Sequence, residues 1–125
     1  MHTTEFLEID AGIGRFSPTG KRSLVEAEAL IADAIAACRD RGISRLLVDA
    51  TGMTGVPVPT LVERFLIAEE WAQASNGVVV LAVVIPAEYI HPRKFGVSVA
   101  ADRGMVSDVF TSRAEALDWL SGHPA

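Results

Sequence analysis

Residues 78–85 read VVVLAVVI, eight apolar residues without a break, five of them valine and one isoleucine. A half-buried strand would alternate with polar residues, and a buried helix would run longer. A run this short and this β-branched therefore predicts a strand buried on both faces. Such a strand needs a sheet covered by helices on both sides. A second run, Leu46-Leu47-Val48, ends in Asp49-Ala50-Thr51-Gly52, and a helical stretch separates the two. Together they predict a βαβ unit. Ligands and partners of such sheets meet the loops beyond the carboxyl ends of the strands, so the 49–60 loop is where a site is expected first.

Helix starts are marked by one repeated device. Ser23-x-x-Glu26, Thr60-x-x-Glu63 and Ser112-x-x-Glu115 all match a capping box. The hydroxyl accepts from a free N–H of the first turn, and the glutamate reaches back to the N–H of the cap residue. The first predicted helix covers 24–41, with Leu24, Ala27, Ile31, Ala34, Ile35 and Cys38 on one stripe and Gly42 as its left-handed stop. The second covers 61–75, burying Leu61, Phe65, Ala68 and Ala72, and ends at Asn76-Gly77. The third covers 92–103, with Pro92 at its first position and Gly104 after its end. The fourth covers 113–121, burying Ala116, Leu117 and Leu120 with Trp119 at its flank.

Strands are predicted over 6–10 and 13–16, joined by Ala11-Gly12 as an antiparallel hairpin, and over 45–50, 78–85 and 106–110. The order is ββαβαβαβα. The fold class is α/β, a mixed sheet of about five strands with helices packed against it. At 125 residues, with neither repeat nor linker, residues 1–125 read as one domain.

Composition excludes several classes of function. A net charge of −5 lacks the basic footprint that nonspecific nucleic-acid binding or docking on anionic lipid requires. No apolar stretch is long enough to insert in a membrane, and MHTTEFLEID has no basic region ahead of an apolar one. One cysteine, Cys38, forbids an internal disulfide and suits a reducing compartment, so a cytoplasmic location is expected. Half of the residues (50%) are hydrophobic but only 6% are aromatic, so the core must be aliphatic.

The element order, with RLLVDATGMTG after the first helix, VVVLAVVIPAEYI, KFGVSVAADRG and a terminal VFTSRAEALDWL, resembles SpoIIAA-like proteins of the STAS/SEC14 type. That resemblance implies a bacterial regulatory fold with a mixed sheet. Anti-sigma-factor antagonists of this type carry a phosphorylatable serine in an Asp-Ser-(Ser/Ala)-Gly motif at the start of the second helix. Here the region reads Gly55-Val56-Pro57-Val58-Pro59-Thr60, without that serine or its aspartate.

The candidate surface for a ligand or partner comprises Asp49, Thr51, Met53, Thr54, Val56, Val58, Thr60, Arg93 and Lys94. Asp49 ends a buried strand, where it either contacts a ligand or accepts N–H bonds from the Thr51-Gly52 turn. Thr51, Thr54 and Thr60 are hydroxyls that phosphorylation could charge, and Thr60 is equally a helix cap. Met53, Val56 and Val58 read as an apolar loop tip. Arg93 and Lys94 oppose the dipole of the third helix unless an anion meets them. No cofactor motif, metal cluster or nucleophile elbow is present, and Cys38 falls on a buried stripe, so no catalytic residue is nominated. The leading expectation is a non-catalytic module working through protein contacts, self-association as a homodimer included, with the Trp71 and Trp119 neighbourhoods as further apolar candidates. The rival is a SEC14-like carrier of an apolar small molecule or lipid. A cavity on the order of a few hundred Å3 near the strand ends would favour the rival.

Overall fold

The computed structural model describes residues 7–124. Phe6, the expected first strand residue, and His2 lie outside them. The elements run β1 (Leu7–Asp10), β2 (Ile13–Phe16), β3 (Gly20–Lys21), α1 (Leu24–Asp40), β4 (Arg45–Asp49), β5 (Met53–Thr54), α2 (Leu61–Ser75), β6 (Val80–Val84), α3 (Phe95–Asp102), β7 (Ser107–Phe110) and α4 (Arg113–Ser121). A 3-10 turn, Ala87–Tyr89, lies between β6 and α3. The main sheet has five strands in the order β1-β2-β4-β6-β7. The β1–β2 hairpin is antiparallel, and the other three pairings are parallel. The mixed α/β sheet read from the sequence is therefore the fold.

Period-2 alternation divides each central strand between two cores. Leu46, Val48, Leu81 and Val83 join Phe16 and the buried faces of α1, α2 and α3. Leu47, Ala82 and Val84 join Ile13 and the buried face of α4, Ala116 and Leu120. One face thus carries three helices and the other carries one. Close approach of α1 to β2 depends on Gly14, where a Cβ would lie 2.9 Å from Cys38 Sγ. Burial pushes the Cys38 thiol up to about 11, so it stays protonated and inert.

Both halves of the capping box form at Ser23/Glu26 and Thr60/Glu63. At Ser112 the hydroxyl accepts from the Glu115 N–H at 3.3 Å. At the other end of α1, Gly42 takes φ +71° and the Ile43 N–H donates to the Cys38 carbonyl at 2.8 Å.

Four details differ from the sequence reading. The third helix begins at Phe95 and not at Pro92, because His91–Lys94 closes a turn first. In that turn the Lys94 N–H bonds the His91 carbonyl at 2.8 Å, and Lys94 sits at φ +49°. The long apolar run is strand only over Val80–Val84. Its first residues finish the stop of α2, with the Val78 N–H on the Ser75 carbonyl and the Val79 N–H on the buried Ser75 hydroxyl. Leu61 is exposed although it shares the face of Ala68 and Ala72, because α2 becomes buried only from Ala68 onward and its first turn lies beyond the core. Finally, β3 and β5 form a two-residue parallel pair that the sequence did not announce.

Candidate functional site

The three-helix face does not close completely over the sheet. A partly open cavity of about 220 Å3 lies between α1, α2, α3 and strands β6 and β7. Small residues create it. Ala27 of α1, Ala50 after β4, Ala68 of α2, and Gly96 and Ala100 of α3 all line it, where larger side chains would fill the gap. Ile31, Ile67, Leu81, Val83 and Val109 supply the rest of a mainly aliphatic wall. The composition, rich in Val and Ala and poor in aromatics, thus acquires a spatial consequence.

The wall at the carboxyl end of the sheet is built from two loops. The 50–60 loop is held by backbone bonds from Gly20 to Gly52 at 3.2 Å and from Arg22 to Thr54 at 2.9 Å, flanking the β3–β5 pair. This anchoring turns Met53 and Val56 toward the cavity. The segment after β6 supplies Tyr89, Ile90 and His91. The Tyr89 hydroxyl donates to the Val56 carbonyl and joins the two loops. Arg64 of α2 donates to the Tyr89 carbonyl at 2.8 Å. Trp71, two turns along from Arg64, donates its indole N–H to the Glu28 carbonyl at 3.1 Å, fastening α2 to α1. Arg103 closes the far side of α2 on α3 through Glu69 at 2.9 Å and by stacking over Phe65.

Polar groups are few and placed at the edges. Lys94 pairs with Asp108 at 2.8 Å. His91 Nδ1 accepts from the Arg93 N–H at 3.0 Å, which puts the proton of the neutral ring on Nε2. Arg64 has no carboxylate partner among the described residues. Glu28 and Asp108 are the acidic residues of the wall. Few polar groups set around an apolar hollow is the usual make-up of a small-molecule site.

The structure brings Met53, Val56 and Lys94 of the expected surface to this cavity, while Asp49, Thr51, Thr54, Val58, Thr60 and Arg93 stand outside its wall. Met53 and Val56 are half-buried and are not an exposed tip. Asp49 Oδ1 accepts from the Thr51 N–H at 3.0 Å and from the Thr51 hydroxyl, and Oδ2 meets Arg113 at 2.9 Å. Burial alone would raise this carboxyl, but the Thr51 bonds and Arg113 outweigh it and hold it below its ordinary value. Thr60 caps α2, and Thr51 and Thr54 are exposed. The two cations do not face an unpaired helix end: Arg93 lies in the turn before α3, and Lys94 finds its anion in Asp108.

Trp71 lines the cavity, and Trp119 packs against Phe110 at 5.6 Å and His123 at 4.4 Å on the opposite face of the sheet. Both are half-buried within the subunit, because each ring finds cover from a neighbouring element. Arg64, Tyr89, Ile67 and Gly96 had not been singled out from the sequence. The available signal was the recurrence of Ala and Gly on inward helix positions, paired with a Trp and a Tyr that each carry a polar end.

Among the described residues no group of three or more His, Cys, Asp or Glu side chains could hold a metal ion. No described helix is long and apolar enough to cross a membrane. No protein-family model matches the sequence, and no curated protein matches it significantly. Among solved structures, a candidate anti-sigma factor antagonist from Thermotoga maritima aligns over 96% of this chain and 97% of its own, at 14% identity and a TM-score of 0.51. An uncharacterised protein with a SpoIIAA-like fold from Shewanella loihica aligns over 91% of this chain and 90% of its own, at 16% identity and a TM-score of 0.48. With the sheet order, the helix placement and the first of these alignments in agreement, the chain has the mixed α/β fold of that anti-sigma factor antagonist candidate.

Proposed function

We propose that this chain is a non-catalytic binding module that takes an apolar small molecule or lipid chain between α1, α2, α3 and the sheet. The observation that carries the reading is the cavity of about 220 Å3, apolar over most of its wall and placed at the carboxyl ends of the strands. At roughly 30 Å3 per heavy atom, that volume suits a chain of about seven carbons. Catalysis has no nominee: Cys38 is buried and protonated, and the paired side chains of the wall, Lys94 and Asp108, neutralise one another. The test is titration with 1-octanol, read by fluorescence of Trp71 in a Trp119→Phe background. Saturable change supports the reading. No change up to the solubility limit of the alcohol, with native mass spectrometry showing no retained small molecule, refutes it.

A second reading, a regulatory module acting through protein contacts, has its own observation. Val58 in the loop before α2, and Leu61, Val62 and Leu66 in its first two turns, are 48%, 52%, 68% and 56% exposed. Large apolar side chains near one another in the chain mark contact surfaces, and the fold neighbour from Thermotoga maritima is described as a candidate anti-sigma factor antagonist. A homodimer through this face would bury apolar area against the repulsion of two subunits of charge −5. Sedimentation at rising salt should then show association that persists or strengthens as charge is screened. A monomer at every concentration refutes self-association and leaves other protein partners to be sought.

A further inference from the structure

Arg64 and Glu28 are the charged groups of the cavity wall that form no ion pair among the described residues. Lys94 and Asp108 satisfy each other at 2.8 Å. Arg64 spends one guanidinium N–H on the Tyr89 carbonyl at 2.8 Å and meets no carboxylate among the described residues. Its remaining donors form a planar fork that matches a carboxylate. A half-buried cation beside an aliphatic hollow is stabilised by an anion that arrives with an apolar body attached. His91 adds a second donor on the same loop as Tyr89, because its Nδ1 already accepts from the Arg93 N–H and its proton must sit on Nε2.

We infer that the ligand is an amphiphile with a single anionic head, a medium-chain monocarboxylate, whose chain fills the cavity and whose carboxylate pairs with Arg64. This rests on the ligand-binding reading above and narrows it. A singly charged head is favoured over a phosphate because Glu28 also lines the wall and repels a second negative charge more strongly. An ammonium head would suit Glu28 but would face Arg64 and the Nε2 proton of His91, Lys94 being paired with Asp108.

The experiment compares four probes of one chain length, octanoate, 1-octanol, octylamine and octyl phosphate, against the full chain by Trp71 fluorescence in the Trp119→Phe background. Octanoate is expected to bind at least tenfold more tightly than the other three. R64Q is expected to bring octanoate to within about twofold of octanol on the same variant, and R64K, which keeps the charge without the fork, to fall between. The comparison of heads on the parent protein decides the matter even if R64Q does not fold. Octanol or octylamine binding as tightly as octanoate overturns the inference and leaves the cavity reading intact. Tighter binding of octyl phosphate overturns the choice of carboxylate. Failure of all four to bind overturns the inference together with the proposed function.

Discussion

Replacing Gly96 tests whether the gap under α3 is real space. Gly96 lies in the first turn of α3, lines the cavity, and has no heavy atom within 4 Å of where a Cβ would stand. Its φ lies outside the left-handed region, so an L side chain is admitted without strain. Gly96→Ala removes the entropic penalty of glycine in a helix, worth about 0.5 kcal/mol at the low end because the position is in the first turn. Gly96→Leu adds three further carbons at about 0.8 kcal/mol each when fully buried, a ceiling of about 2.4 kcal/mol. The cavity is partly open, so about 1–2 kcal/mol beyond the alanine variant is expected. The four side-chain carbons of leucine would occupy roughly 120 Å3 at about 30 Å3 each, over half of the 220 Å3 present. Octanol binding should therefore fall at least tenfold as stability rises, the usual opposition of stability and function at a binding site. Urea denaturation of the parent, Ala and Leu variants separates propensity from filling. A leucine variant no more stable than the alanine variant, with octanol binding unchanged, would refute the reasoning. It would mean that the side chain points to solvent and that α3 does not roof a cavity.

Three other outcomes are expected. Thr60→Ala should lose about 1 kcal/mol by chemical denaturation and Thr60→Ser much less, since the hydroxyl caps α2 in both parent and Ser variant. Asp49 has its carboxyl held below the ordinary value of 3.8, so its contribution is complete above that value and is lost as pH falls through the lower folded value. Asp49→Asn should accordingly flatten the acid limb of the stability profile below about pH 4 and cost stability at neutral pH. Arg93→Ala combined with Lys94→Ala should change stability by no more than about 1 kcal/mol, because the pair Lys94–Asp108 is solvent-accessible on the lysine side. A larger loss in denaturation would show that this contact, and not packing, holds the start of α3.

How much was legible follows from how far apart the deciding atoms lie. Helices α1, α2 and α4 were read with starts at Leu24, Leu61 and Arg113, as observed. Each start is decided by a hydroxyl and a backbone N–H or glutamate three residues away, as at Ser23/Glu26 and Thr60/Glu63. Pro92, a permissive local signal, points to a start of α3 three residues ahead of the observed Phe95. What overrides it is the His91–Lys94 turn, together with a bond from Lys94 to Asp108, fourteen residues on. The β3–β5 pair was invisible because two residues have no readable period, and its partners come from separate loops.

The sequence by itself determined the fold class. β-branched runs, alternation and caps are local properties, and together they admit a mixed sheet with helices packed against it. It also placed Cys38 on a buried stripe and Thr60 in a capping-box pattern, which the structure realises. Only the tertiary structure decided which way the 50–60 loop faces. Anchored by β3 and joined to Tyr89, that loop turns Met53 and Val56 inward, although their neighbours Val58 and Thr54 remain outside. The cavity was decided there too. Ala27, Ala50, Ala68, Gly96 and Ala100 lie far apart in the chain, and small residues on a buried face ordinarily let elements pack more closely. Here they leave space beside Arg64, between α2 and the neighbours to which Arg103 and Trp71 tie it.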